Sequence, residues 1–345
     1  MSDNEAVRGW VTADIPGAGG QLKEAPEDFE VEELPAYLPS GQGEHLFLWV
    51  EKRQVGTEPL ARRLAEALGV DARDVGWAGL KDHRAVARQF FSVPAAAEPR
   101  LAGLRLEGAH VLSAARHGNK LRPGHLRGNR FHVRVRQAVD PDAAGRSLRA
   151  LEERGVPNFF GEQRFGRDAR NAELGRKLAL GQRVQPRPSR FQRKLYLSAF
   201  QAELFNRALE ARLQAGTFAR ALEGDVMRKE DTGGLFVCAS PAEDQPRVER
   251  FEISPAGPLF GPRMPPAAGP VRAAEEALLS ASGVSMEQLE RNGRGETAGA
   301  RRAYRVRLGE PSLQRDGNDL LLRFTLPKGS YATVVLDEIV KSVRD

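Results

Sequence analysis

The sequence predicts an α+β fold in which a discontinuous domain carries an insertion. Three observations predict it. Apolar residues alternate with polar ones, the period of a half-buried strand, in the first third of the chain and again near its end. Between these parts apolar residues fall at helical spacing instead. The chain has 345 residues, more than one hydrophobic core usually spans, so two domains are expected.

Phe29, Val31 and Glu33 alternate with charged neighbours and give a first strand. Leu46–Lys52 is a second. Thr57 is placed to cap a helix with Pro59 in its first turn; Leu60, Leu64, Ala67 and Leu68 form its buried stripe and Gly69 stops it. Val86, Arg88, Phe90 and Ser92 alternate against Ala87, Gln89, Phe91 and Val93 as another strand. Phe131–Arg136 is the cleanest period-two pattern, with Phe131, Val133 and Val135 on one face. Asp140-Pro141 opens a helix that Gly155-Val-Pro157 ends. In the middle, Leu197, Phe200, Leu204, Ala208 and Leu213 give a long helix over Ser198–Leu213. Gln245–Pro270, rich in Pro and Gly, reads as loop. Alternation returns at Tyr304, Val306 and Leu308, then at Leu320, Leu322, Phe324 and Leu326. Pro327-Lys-Gly329 turns the chain, and a final helix starts near Ala332.

Composition excludes several classes. With 41% hydrophobic and 28% charged residues, the chain is that of an ordinary globular protein rather than a disordered one. A single cysteine, Cys238, leaves no disulfide framework and no zinc site built on several thiolates. Met1-Ser-Asp-Asn-Glu-Ala6 has neither a basic n-region nor an apolar h-region, and no apolar run reaches the roughly 18 residues of a membrane span, so a cytoplasmic protein is expected. The net charge is +6, unevenly spread. Val111–Arg136 has seven Lys or Arg and no Asp or Glu; Gly161–Leu195 has ten basic residues against three acidic ones. Such one-signed stretches are the electrostatic footprint of a nucleic-acid partner, and equally that of a solvated basic face.

Five segments are candidates for chemistry. Gly76-Trp-Ala-Gly79-Leu-Lys-Asp82 is a tight glycine loop leading into a strand, and it carries an aspartate between Lys81 and His83. Nearby cations favour a carboxylate, which then serves as nucleophile or electrostatic stabiliser rather than as general acid. Read alone, Asp82 is an ordinary turn aspartate. Lys23-Glu-Ala-Pro-Glu-Asp-Phe29 is a turn entering a strand. Leu121-Arg-Pro-Gly-His-Leu-Arg-Gly-Asn-Arg-Phe131 is basic and ends in an aromatic, a combination that holds phosphates and stacks an unstacked base. Gly155–Gly166 packs three phenylalanines into its last eight residues, with no amphipathic period to explain them. Leu326-Pro-Lys-Gly-Ser-Tyr331-Ala presents a tyrosine at a helix start. The six histidines lie between His45 and His132 without ligand spacing, and there is no P-loop, dinucleotide loop, Gly-x-Ser-x-Gly elbow or zinc-deaminase pattern.

Taken in order, these segments resemble the TruD family of tRNA pseudouridine synthases. Lys-x-x-Pro-Glu-Asp-Phe lies at Lys23–Phe29, Gly-Glu-His at Gly43–His45, and Ala-Gly-x-Lys-Asp-x-x-Ala-Val-x-x-Gln at Ala78–Gln89. Gly-Asn-x-Phe lies at Gly128–Phe131, Gly-Val-Pro-Asn-Phe-Phe-Gly-Glu-Gln-Arg-Phe-Gly at Gly155–Gly166, and Leu-Pro-x-Gly-Ser-aromatic-Ala-Thr at Leu326–Thr333. The stretch from about Ala221 to Ala300 matches poorly.

The resemblance implies a catalytic domain with a central mixed, largely antiparallel sheet, formed by residues 1–156 and 300–345, and an α/β insertion domain over 157–299. It implies a tRNA uridine substrate, usually position 13, no metal and no organic cofactor. It places the catalytic aspartate at Asp82 and the active-site lysine at Lys23, and the base contacts at Phe29, Asn129, Phe131 and Tyr331. Phenylalanine is common where this chain has Tyr331. The basic residues Arg116, Lys120, Arg122, Arg127 and Arg130 are expected to contact RNA, and the chain to act as a monomer. Asp82 attacks the sugar or removes its C2′ proton; the sequence leaves both open. The competing reading is a non-catalytic tRNA-binding or tRNA-folding protein on the same scaffold.

Overall fold

The structure, a computed structural model, describes residues 9–166 and 168–341. The segment Met1–Ala6, expected to be no signal peptide, lies outside the described residues. Among the described residues no helix is long and apolar enough to cross a membrane.

The chain opens with strands β1 (Gln21–Leu22), β2 (Phe29–Pro35) and β3 (His45–Arg53), then helix α1 (Thr57–Leu68). Strands β4 (Gly76–Trp77), β5 (Val86–Pro94), β6 (Ala109–His117) and β7 (Leu126–Arg136) follow, then α2 (Pro141–Arg154) and β8 (Val156–Pro157). The middle of the chain supplies α3 (Arg170–Ala179), α4 (Arg190–Gln214), β9 (Val226–Lys229), β10 (Leu235–Val237) and α5 (Pro241–Glu249). It continues with β11 (Ile253–Leu259), α6 (Gly269–Ala281), α7 (Met286–Gly293), β12 (Ala300–Ala303) and β13 (Arg305–Val306). Strands β14 (Gly309–Asp316) and β15 (Asp319–Pro327) and helix α8 (Ala332–Val340) end it.

Two compact units are present. A sheet unit takes Pro16–Leu148, Leu308–Gly329 and the chain from Ile339; a helix-rich unit takes the described residues up to Ile15, then Arg149–Arg307 and Ser330–Glu338.

The sheet unit is built on nine strands in the order β14-β15-β7-β2-β5-β3-β6, with β1 also paired to β7 and β4 to β5. Strands β2 and β5 run parallel, and the other pairs are antiparallel. This is the expected α+β class with a mixed, largely antiparallel sheet. Register follows the alternation. Val31 and Phe131 are opposite each other, as are Phe131 and Phe324, so their side chains share one face. Helix α1 lays Leu60, Leu64 and Leu68 against Leu46, Leu48 and Val50 of β3 and Phe91 and Val93 of β5. Truncating one such leucine to alanine costs about 2–5 kcal/mol. Gly69, left-handed at φ 60°, ends the helix as expected.

The start of α1 departs from expectation. Its N-cap is Gly56, and Thr57 lies inside the helix and makes no cap bond. The hydroxyl is taken by two buried partners described below, which outcompete the cap.

In the helix-rich unit, a Ser189/Gln192 capping box starts α4 earlier than its apolar spacing predicted. Helix α4 packs Leu197, Phe200 and Leu204 with Leu178 of α3, Leu279 of α6 and Leu289 of α7. Close approach needs Gly175, where an added Cβ would stand 2.0 Å from the Tyr196 carbonyl oxygen. The predicted loop over Gln245–Pro270 is corrected: it holds the end of α5 and all of β11. Strand β11 changes partner part-way, pairing through Ile253–Pro255 with β9 and through Ala256–Leu259 with β12. Such short ladders need few backbone donors, which lets a strand accept Pro255 and Pro258.

Candidate active site

The Asp82 loop leaves β4 and re-enters the sheet at β5. It begins where only glycine fits, since a Cβ on Gly76 would stand 2.2 Å from the Leu121 carbonyl oxygen. Its backbone is then bonded at almost every step. Gly124 donates its amide to the Ala78 carbonyl at 2.8 Å, joining the loop to the basic segment Leu121–Arg127. Gln89 Nε2 donates to the Gly79 carbonyl at 3.3 Å. The Lys81 amide donates to Thr57 Oγ1 at 2.9 Å, and that hydroxyl donates onward to Gln89 Oε1 at 3.0 Å. Lys52 Nζ donates to the Asp82 carbonyl at 2.8 Å and to the Val55 carbonyl at 2.6 Å.

Side chains along the loop alternate. Leu80 stands in solvent, Lys81 is buried, and Asp82 is partly exposed. Lys81 Nζ reaches Glu33 Oε2 at 2.6 Å, with both side chains almost wholly out of water. Burial pushes the Glu33 carboxyl up, and the Lys81 ammonium opposes the rise. Lys81 is therefore committed to Glu33.

The cation facing Asp82 comes from elsewhere. Lys23 Nζ lies 3.0 Å from Asp82 Oδ2, and the side chains are 27% and 28% exposed. The same ammonium sits 4.2 Å over the centre of the Phe29 ring, a cation–π contact that holds it in place. Lys23 has φ 61°, a left-handed backbone rare for a side-chain-bearing residue. The turn after it is tied by Asp28, which accepts the Ala25 amide at 2.8 Å and a two-pronged Arg136 contact at 2.8 Å on each oxygen. Burial works to raise the Asp28 carboxyl, but these donors hold it below its usual range. The Pro-Glu-Asp turn thus delivers Lys23 to Asp82.

Asn129 lies opposite Glu33 in the β2–β7 register, on the same face. Its side-chain carbonyl oxygen is buried and meets no donor. Among the described residues no group of three His, Cys, Asp or Glu side chains is placed to hold a metal ion.

The sequence profile of the tRNA pseudouridine synthase D (TruD) family matches residues 8–185 and 188–339. The chain belongs to the TruD family. A tRNA pseudouridine synthase D from Anaeromyxobacter sp. (strain Fw109-5) is 53% identical over 339 residues, covering 96% of this chain and 95% of that protein. One from Thermus thermophilus is 42% identical over 334 residues, with 96% and 92% covered. A crystal structure described as TruD from Methanosarcina mazei superposes with a TM-score of 0.77 at 23% identity, covering 96% of this chain and 95% of that one. That likeness speaks to the fold.

Against this TruD frame, the sequence-predicted residues divide. Lys23, Phe29, Asp82, Asn129 and Phe131 all lie in the sheet unit; Tyr331 belongs to the helix-rich unit, where its ring lies against Gly161. Lys23 supplies the charge facing Asp82, while Lys81, the sequence neighbour of Asp82, turns inward to Glu33. Phe29 and Phe131, expected as base contacts, are both buried in this structure. These rings are 2% and 6% exposed, 6.0 Å apart, and Phe131 stacks on Phe324 at 5.3 Å. Of these rings, Phe29 lies under the Lys23 ammonium.

The five basic residues also divide. Arg116 is paired with Glu98 at 2.6 Å, and Arg130 reaches Glu310 at 3.2 Å and Glu32 at 3.5 Å. Lys120 donates to the Arg73 carbonyl. Arg122 and Arg127 are exposed on the segment bonded to the Asp82 loop, and neither makes an ion pair among the described residues.

Sequence reasoning missed Lys52, Thr57 and Gln89. The signal was present for two of them. Lys52 continues the inward parity of Leu46, Leu48 and Val50, and Gln89 shares that of Ala87, Phe91 and Val93. A polar residue at an inward strand position needs a partner, and here the partner is the Asp82 loop.

Proposed function

We propose that this chain isomerises a uridine of tRNA, position 13 in the D-arm region, to pseudouridine, with Asp82 and Lys23 as its catalytic pair. The observation that carries the reading is the Lys23–Asp82 contact, an ion pair open to solvent on a loop whose backbone is otherwise tied to buried groups. The reaction breaks the C1′–N1 bond, turns the base and joins C1′ to C5. The C5 proton is lost and N1 gains one, so the mass is unchanged. Asp82 attacks C1′ or takes the C2′ proton, and Lys23 faces the carboxylate throughout. Deuterium at C2′ separates the routes, since a primary isotope effect arises only when that proton moves.

The target atoms are stacked inside the RNA, so the nucleotide must leave the stack, at a few kcal/mol. The orphaned Asn129 oxygen is an acceptor suited to the uracil N3–H. Arg122 and Arg127 supply phosphate contacts beside the loop. We assign the chemistry to a discontinuous catalytic domain of residues 1–156 and 300–345, interrupted by the 157–299 insertion. The enzyme works on tRNA in the cytoplasm.

Incubation with unmodified tRNA tests the reading. Pseudouridine is silent in mass and is revealed by carbodiimide labelling. The expected result is one labelled site with the tRNA mass unchanged, and Asp82→Asn should abolish labelling while keeping tRNA affinity within about 2-fold. An Asn variant that converts uridine at the wild-type rate removes Asp82 from the chemistry. Binding without conversion by the wild type would favour a tRNA-binding protein.

A further inference from the structure

Lys52 is 1% exposed at an inward position of β3, where its strand neighbours on that face are Val50 and Leu48. An apolar side chain would fill this place without the cost of burying an ammonium. The cost is real, since burial draws the lysine down to about 8. What the lysine gains is a pair of bonds to main-chain carbonyls, those of Val55 and Asp82. Thr57 has made a similar exchange, giving its hydroxyl to the Lys81 amide and to Gln89 at the very start of a helix.

The two contacts bracket one short piece of backbone. The Lys81 amide is held at one end by Thr57 and the Asp82 carbonyl at the other by Lys52, while Glu33 holds the Lys81 side chain. Between them the main chain has little freedom. The Asp82 side chain retains only its own two torsions, and Lys23 bears on those.

We propose that Lys52 and Thr57 are positioning residues for the isomerisation: they fix the backbone that carries Asp82, so that its carboxylate meets Lys23 and the sugar in one geometry. This rests on the pseudouridine synthase reading. Reacting atoms must approach to roughly 3–3.5 Å, and a displacement of about 1 Å can cost about 100-fold in rate. Neither residue touches RNA in this scheme, so the loss falls on the chemical step and spares binding.

The test compares wild type, Lys52→Met and Thr57→Val on unmodified tRNA. Methionine keeps the length and apolar stem of lysine; valine keeps the shape of threonine without its hydroxyl. Three quantities are read: single-turnover rate with enzyme in excess, tRNA Kd by filter binding, and Tm. The expected single-turnover losses are about 30–100-fold for Lys52→Met and about 10-fold for Thr57→Val, with Kd within about 2-fold. A folded Lys52→Met enzyme within about 2-fold of wild-type rate overturns the proposal, as does a rate loss matched by an equal loss of tRNA affinity. Should Lys52→Met fail to fold, Thr57→Val decides alone by the same criteria. A wild type that leaves uridine unconverted refutes the functional reading itself, before any variant is compared.

Discussion

Replacing Lys23 by methionine isolates the contribution of one charge. The side chain keeps most of its length, but the ammonium 3.0 Å from Asp82 Oδ2 and 4.2 Å over the Phe29 ring is gone. Two unit charges at that distance attract by about 5 kcal/mol at an effective dielectric of ~20. Both side chains are about a quarter exposed, so solvent screens much of this. The range for a hydrogen bond to a charged group, about 1.5–3 kcal/mol, is the better measure. If that interaction is realised fully in the transition state, Lys23→Met slows the chemical step about 10–100-fold. The assay is single-turnover pseudouridine formation on a tRNA transcript, with tRNA Kd measured at the same ionic strength. Lys23→Arg keeps the charge and should fall between wild type and Lys23→Met. A Lys23→Met enzyme within about 3-fold of wild type would show that the ion pair orients nothing that matters to the rate.

Three further outcomes follow from the same geometry. Glu33→Gln leaves the Lys81 ammonium buried without its counter-charge and should cost about 3–5 kcal/mol in denaturant unfolding; Glu33→Gln combined with Lys81→Met should recover most of that, and a single variant as stable as wild type would contradict the pairing. Lys52 sits at about 8 folded against about 10.5 unfolded, so the unfolded chain binds more protons between those values and stability rises with pH there. The cost of its burial is full below about pH 8, on the order of 3 kcal/mol, and fades toward pH 10.5. The stability difference between wild type and Lys52→Met, followed by denaturant titration across pH 7–10.5, should therefore move in favour of wild type; a flat difference would rule this out. Arg122→Ala and Arg127→Ala should each weaken tRNA binding and lower the slope of log Kd against log salt by about 1, whereas Arg116→Ala, already paired with Glu98, should change the slope less.

The sheet was legible because its strands are half-buried and the alternation of Phe131, Val133 and Val135 leaves one register. The β11 strand was not, because composition marked Pro255 and Pro258 as loop while their burial depends on partners 28 and 43 residues away in sequence, Met227 and Arg301. The site divides along the same line. Motif order singled out Lys23 and Asp82, and the structure brings their charges together. What motif order does not carry is direction: whether Lys81 or Lys23 faces Asp82 depends on the side of the backbone each leaves from, and the buried Glu33 settles it. Direction is nevertheless readable in the strands that support the loop. Glu33 follows Phe29 and Val31 inward, Lys52 follows Leu48 and Val50, and Gln89 precedes Phe91 and Val93. Each breaks an apolar face with a group that cannot be buried alone. Three such breaks on adjacent strands β2, β5 and β3 point at one place above the sheet, and the Asp82 loop is the segment that passes there. Polar residues at inward strand positions therefore locate the candidate loop from its supports, where the sequence of the loop itself resembles any glycine turn.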